Sequence, residues 1–185
     1  MHRFLPIFLL LATLAFGAMA SGCAVYDVAV EERNAGDWAD DKTISFVIEK
    51  DFLADDQVKY LDFDAYSYEG HVYIIGEYEN RAQVDQAVKI AKAVKGVRTV
   101  TTYVLPKRAH DYCGTTDSLD IYAKLKEKLI SDKNIWSTNI EFEVVQCNVV
   151  MVGLLGSSNE ISRAISHAKS VPGVRNVKSF LKVKR

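Results

Sequence analysis

The sequence predicts an α+β protein built from two tandem copies of one small unit. Three observations carry this. The string Val-Lys-Gly-Val-Arg-Thr-Val at 94–100 returns as Val-Pro-Gly-Val-Arg-Asn-Val at 171–177, an offset of 77 residues. The same offset lays Gly76 on Gly153, Ala87, Ala91 and Lys92 on Ala164, Ala168 and Lys169, and Ile44 on Ile121, without a gap. Helical and extended hydrophobic periods then alternate in the same order in both copies, the mark of a duplicated domain.

Each unit opens with a helix. Ile44, Ile48 and Phe52 in the first copy, and Ile121, Leu125 and Leu129 in the second, recur at i, i+4 and form one apolar stripe. A strand follows, Leu61-Phe63-Ala65 and Ile140-Phe142-Val144. Asp62 and Asp64, or Glu141 and Glu143, alternate onto its other face, which is expected to be exposed. Tight turns are expected at Glu69-Gly70-His71 and Gln146-Cys147-Asn148. The next strand is more apolar, Val72 to Ile75 and Val149 to Val152, ending at Gly76 and Gly153.

A second helix starts at a capping box, Ser157-x-x-Glu160, with Asn80-x-x-Gln83 as its near version. Its inward stripe is Val84-Ala87-Val88-Ala91 or Ile161-Ala164-Ile165-Ala168, and the small alanines let it lie close to a sheet. Lys95-Gly96 and Pro172-Gly173 end it, because glycine accepts the positive φ of a helix stop. The following valines begin a last strand. The repeated motif is thus a helix stop joined to a strand start, and Arg98 and Arg175 are expected to be solvated.

Helix–strand–strand–helix–strand, twice, resembles the BON domain family. The resemblance rests on Glu69-Gly-His-Val-Tyr-Ile-Ile-Gly-Glu77 and Cys147-Asn-Val-Val-Met-Val-Gly-Leu-Leu155, each followed by the alanine helix and the Gly-Val-Arg-x-Val motif. It implies two αββαβ domains, each with a three-stranded mixed sheet packed against two helices. It implies a non-enzymatic envelope lipoprotein of the osmotically inducible or division-associated outer-membrane type. It also implies that some members bind anionic phospholipid through the second domain.

The N-terminal segment fits export. Met1-His-Arg3 is a basic start, Phe4 to Phe16 an apolar run, and Ala20-Ser-Gly-Cys23 a small-residue cleavage zone. Ser-Gly-Cys resembles the end of a lipobox, in which Cys23 carries lipid. Ala18-Met-Ala20 also fits ordinary signal peptidase, which releases a soluble periplasmic protein. A mature chain starting Cys23-Ala24 is expected at the outer membrane, facing the periplasm. The expected organisation is a signal peptide at 1–22, the lipidated Cys and an acidic tether at 23–41, BON domains at 42–106 and 117–185, and a linker at 107–116. Cys113 and Cys147 are an even pair in an oxidising compartment, either bridged or two free thiols.

Charge divides the chain. The net charge is -1, yet the first unit has eight bases against ten acids and the second eleven against seven. A basic second half suits a polyanionic surface. In its first helix Lys124, Lys126 and Lys128 flank the core stripe. Ile130 points away from that stripe, Tyr122 sits at its edge, and Trp136 follows in the loop. Lysines beside an outward apolar residue and amphipathic aromatics make an interfacial membrane face. The alternative is an ordinary surface helix with Ile130 buried under a loop. Phe46 and Leu53 of the first unit point outward and suit contact with the other domain.

Enzyme chemistry is not expected. His71, His110 and His167 lack a partner pattern, with His167 expected on a solvated helix face. Gly153-Leu-Leu-Gly156-Ser-Ser lacks the lysine and spacing of a phosphate loop. No cysteine–histidine or calcium-loop spacing suggests a metal site. Export and modest charge argue against nucleic acid. No cofactor or small-molecule substrate is implied. The expected partner is an anionic phospholipid membrane. The rival is an envelope protein docking through an adaptor.

Overall fold

The computed structural model describes residues 35–58, 62–109 and 113–184. The segment read as signal peptide, and Cys23 with it, lies outside the described residues. The first domain runs α1 (Ala35–Ala54), β1 (Phe63–Tyr68), β2 (His71–Tyr78), α2 (Arg81–Ala93) and β3 (Thr99–Pro106). The second repeats it as α3 (Thr115–Ser131), β4 (Ile140–Val145), β5 (Asn148–Leu155), α4 (Ser158–Ser170) and β6 (Asn176–Val183). In each sheet the middle strand pairs antiparallel with the strand before it and parallel with the strand after the helix. The fold is therefore α+β, with two three-stranded mixed sheets.

The predicted stripes form the cores. Ile44, Ile48 and Phe52 pack on Phe63, Ala65, Val72 and Ile74, with Val84, Ala87 and Ala91 closing from α2. Ile121, Leu125 and Leu129 do the same on Phe142, Val149 and Met151, with Ala164 and Ala168 from α4. Asn80 and Ser157 cap their helices by accepting from the N–H of Gln83 and Glu160, both at 3.2 Å. Gly96 and Gly173 stop them at φ +96° and +90°. The motif arginines then anchor by backbone. Arg98 N–H donates to Gly70 O and Arg175 N–H to Cys147 O, each at 2.8 Å, joining the strand start to the hairpin turn. Gly76 and Gly153 sit where backbone crosses backbone. A Cβ there would lie 1.9 Å from Asp62 O and 2.3 Å from Asn139 O.

The hairpin turns need two residues at positive φ: Glu69 and Gly70 at 53° and 73°, Gln146 and Cys147 at 49° and 58°. The two domains hold these turns differently. In the first, buried Asp41 accepts from the N–H of Glu69 at 2.7 Å and of Gly70 at 2.9 Å, and from the Ser67 hydroxyl at 2.7 Å. In the second, Cys147 is joined to Cys113 by a disulfide with the Cα atoms 5.8 Å apart. Asp41 also explains why α1 includes residues of the segment read as tether. Its helical placement fixes that carboxylate against the turn.

The sheets' second faces are not exposed. They pack on each other and form a third core from Tyr68, Tyr73, Ile75, Val145, Val150, Val152 and Leu154, flanked by Tyr66, Tyr103, Leu105 and Phe180. This is why β5 is buried along its whole length, and why its sequence is continuously apolar rather than alternating. It corrects two expectations. Glu141 and Glu143 are half-buried beside the domain boundary instead of fully facing solvent, because the polar face of each first strand meets the other sheet, while Asp64 stays exposed as expected. Phe46 and Leu53 are 67% and 68% exposed, and the domains meet through their sheets instead.

A candidate membrane-binding surface

Helix α3 is fixed by Ile121, Leu125 and Leu129, each close to fully buried. Burial of such side chains contributes about 2 kcal/mol apiece. The stripe one step round the helix, Tyr122, Lys126 and Ile130, is thereby free for other work. Tyr122 leans on Phe142 with ring centroids 4.7 Å apart, and Lys126 Nζ lies 5.5 Å from the centre of the Tyr122 ring. Ile130 is 63% exposed and Trp136 51% exposed. Among the described residues no loop covers Ile130.

The loop that carries Trp136 is rigidly held. At its start, Asp132 accepts from the backbone N–H of Asn134 at 3.0 Å and pairs with both Arg163 (2.7 Å) and His167 (2.8 Å) of α4. These partners hold its carboxyl well below the usual carboxylate range, the His167 contact most strongly and the Asn134 N–H next. Ile135 turns into the core. The N–H of Trp136 donates to Glu160 Oε1 at 2.7 Å, while Glu160 Oε2 accepts from Gly156 N–H at 3.1 Å. Glu160 thus leaves its expected place in the capping box and holds the tryptophan loop. His167, expected on a solvated face, is half-buried in this cluster.

Tyr122, Lys126, Ile130 and Trp136 line one groove of about 720 Å³. Lys124 and Lys128 do not. Lys124 pairs with Asp120 one turn back at 2.6 Å. The far wall comes from the first domain, through Trp38, Lys42 and Tyr68. Sequence reasoning missed these residues and also Lys133 on the near wall. A lone tryptophan in a segment read as an acidic tether was the available signal. Leu119, 64% exposed on the same helix, was also missed.

The acids beside this groove are already engaged. Asp132 serves Arg163 and His167, and Glu141 meets Lys42 across the domain boundary at 3.2 Å. Among the described residues neither Lys126 nor Lys133 is paired with an acid. Behind Glu141 lies Glu143, which accepts a hydrogen bond from the Tyr66 hydroxyl. Burial, reinforced by Asp64 and Glu141 and opposed by that hydrogen bond, pushes Glu143 up to about 7. Burial also raises Asp64, although that residue keeps contact with solvent.

Among the described residues no group of three His, Cys, Asp or Glu could hold a metal ion, and no helix is long and apolar enough to cross a membrane.

The model of the BON domain matches residues 40–105 and again 117–185. The chain belongs to the BON-domain family. Among curated BON relatives, osmotically-inducible protein Y of Escherichia coli is 28% identical over 95% of this chain and 94% of its own length. Outer membrane lipoprotein DolP of Haemophilus influenzae is 26% identical over 86% of this chain and 82% of its own. Two solved structures of CdsD, a structural protein of the type III secretion system of Chlamydia trachomatis, are 13% identical with TM-scores of 0.32 and 0.33. They cover 77% and 78% of this chain, and 63% and 67% of theirs, and at that likeness carry no argument.

Proposed function

We propose that this protein is a non-enzymatic lipoprotein of the cell envelope whose second BON domain binds anionic phospholipid surfaces. Cys23 is its anchor, placed at the outer membrane and facing the periplasm. The names of its relatives support the envelope setting, one being an outer membrane lipoprotein and the other osmotically inducible. The role served is envelope integrity or tolerance of stress.

The observation that carries the lipid reading is the pairing of exposed Ile130 and Trp136 on a rigid frame, beside Lys126 and Lys133 with no acid to neutralise them. Apolar tips enter the head-group boundary while cations meet lipid phosphate. Each lysine near an anionic surface contributes about 1 kcal/mol. Lys124 and Lys128, outside the groove, add to the general field. The surface pair of Lys124 with Asp120 is too exposed to remove that charge.

The test is flotation of the chain lacking Cys23 with phosphatidylglycerol vesicles and then phosphatidylcholine vesicles. Binding to the first only, weakened by salt and lost in Lys126→Glu with Lys133→Glu, is expected. Equal binding to both, or to neither, would overturn it. The adaptor reading then takes over, with exposed Phe46 and Leu53 as its docking face.

A further inference from the structure

We propose that the lipid site is composite: the phosphate of an anionic glycerophospholipid sits in the groove between the domains, held by Lys42 and Trp38 of the first as well as Lys126, Lys133 and Trp136 of the second. This rests on the lipid reading above and adds the first domain to it.

The groove's size, about 720 Å³, lies within the range of sites that enclose small molecules. Its floor is apolar, formed by Leu129, Ile140 and Phe142. Three lysines reach it from two domains. The Lys42–Glu141 contact is half exposed on both sides, so it is a weak bridge that a phosphate can compete for. Two tryptophans and two tyrosines could instead cage a choline group. The lysines decide against that, because Lys42, Lys126 and Lys133 line the groove against two carboxylates, and one of these, Asp132, is held by Arg163 and His167.

The duplication supplies an internal control. Shifted by 77 residues, Tyr122, Lys126, Ile130 and Lys133 become Ser45, Glu49, Leu53 and Asp56, and Trp38 and Lys42 become Thr115 and Leu119. At these six positions the other copy carries neither an aromatic residue nor a lysine, while Trp136 corresponds to Lys59. Folding does not require them, and their convergence on one groove from both sides of the domain boundary calls for a ligand.

The chain has only two tryptophans, and both line this groove. That makes the test direct. Trp136→Phe leaves Trp38 as the sole indole reporter, and Trp38→Phe leaves Trp136. Each variant, with Cys23 omitted, is titrated with phosphatidylglycerol vesicles while indole emission is followed. A blue shift in both variants is the expected result. A shift from Trp136 alone would overturn the composite site and leave the second-domain reading standing. A shift from Trp38 alone would overturn it in the opposite sense, and no shift in either would overturn both readings. As a second measurement, Lys42→Gln should weaken vesicle partitioning about fivefold, the loss of one lysine at a charged surface. Unchanged partitioning would remove Lys42 from the site. Far-ultraviolet dichroism checks that each variant is folded.

Discussion

The two domains share a backbone and differ in chemistry. Positions that match across the 77-residue offset keep the fold: the core stripes, the close-approach glycines, the helix stops. The positions that differ in chemical type include those at the groove and around the loop that frames it. Asp55 takes a hydrogen bond from Gln86 at 2.7 Å; its counterpart Asp132 binds Arg163 and His167. Gln83 closes a capping box by accepting from Asn80 N–H; its counterpart Glu160 makes no such bond and instead accepts from Trp136 N–H. The interface has the logic of a symmetric dimer. Tyr66 bonds Glu143, its own counterpart 77 residues on, as happens near a two-fold axis. Identity between the copies thus falls on structural positions such as Gly76/Gly153 and Gly96/Gly173.

The largest expected effect breaks the comparison at the hairpin turns. The disulfide closes a sequence separation of 34 and should contribute about 4 kcal/mol. Cys113→Ala with Cys147→Ala should lower the urea midpoint by that scale, with hydrogen exchange rising first around Gln146. Uniform loss of protection in both domains would show that the turn is held by other means. The close-approach glycines should instead behave alike. Gly76→Ala and Gly153→Ala each force a Cβ onto a backbone oxygen and should each cost about 3 kcal/mol. A marked inequality would break the equivalence of the two copies.

The interface predicts a pH dependence of similar or smaller size. Glu143 titrates near 4.5 unfolded and about 7 folded. The folded chain therefore holds a proton that the unfolded chain releases. Stability from this group is full below pH 4.5, falls as pH rises toward 7, and is level above, losing up to about 3 kcal/mol. Asp64 and Glu49, both raised by burial, add slope of the same sign at lower pH. Glu143→Gln should flatten the curve in urea melts between pH 5 and 8. An unchanged slope would mean that Glu143 is not the group responsible.

Much of the fold was legible because each element carries its own periodic signal. Ile44, Ile48 and Phe52 name a buried helix face without any knowledge of what covers it. The fate of the other faces was not legible. Alternation showed that Glu141 and Glu143 oppose Phe142, but alternation is blind to a second sheet arriving on the polar side. The groove was half legible: Tyr122, Lys126, Ile130 and Trp136 lie close in sequence, whereas Trp38 and Lys42 join them only through the docking of two domains. Lys124 and Lys128, chosen by helix position, lie outside the groove. His167 was misread for a related reason. Its partner lies 35 residues away, beyond any local pattern.

The smallest effect concerns that partner. Asp132 and Asp55 occupy equivalent turns, and both carboxyls are held below their usual range, Asp132 chiefly by His167 and Asp55 chiefly by Gln86. For a depressed carboxylate, the stabilising contribution is present above the unfolded value and is lost as acid protonates the folded form. Asp132→Asn should therefore lower the neutral-pH urea midpoint more than Asp55→Asn, because it leaves Arg163 and His167 without their shared anion. Both variants should converge on the wild type in strong acid. Asp132→Asn should also loosen the loop, visible as a fall in Trp136 emission anisotropy in a Trp38→Phe background. Equal effects from the two asparagines, with unchanged anisotropy, would mean that the Asp132 cluster does no more than its plainer counterpart and that the rigidity of Trp136 comes from Glu160 alone.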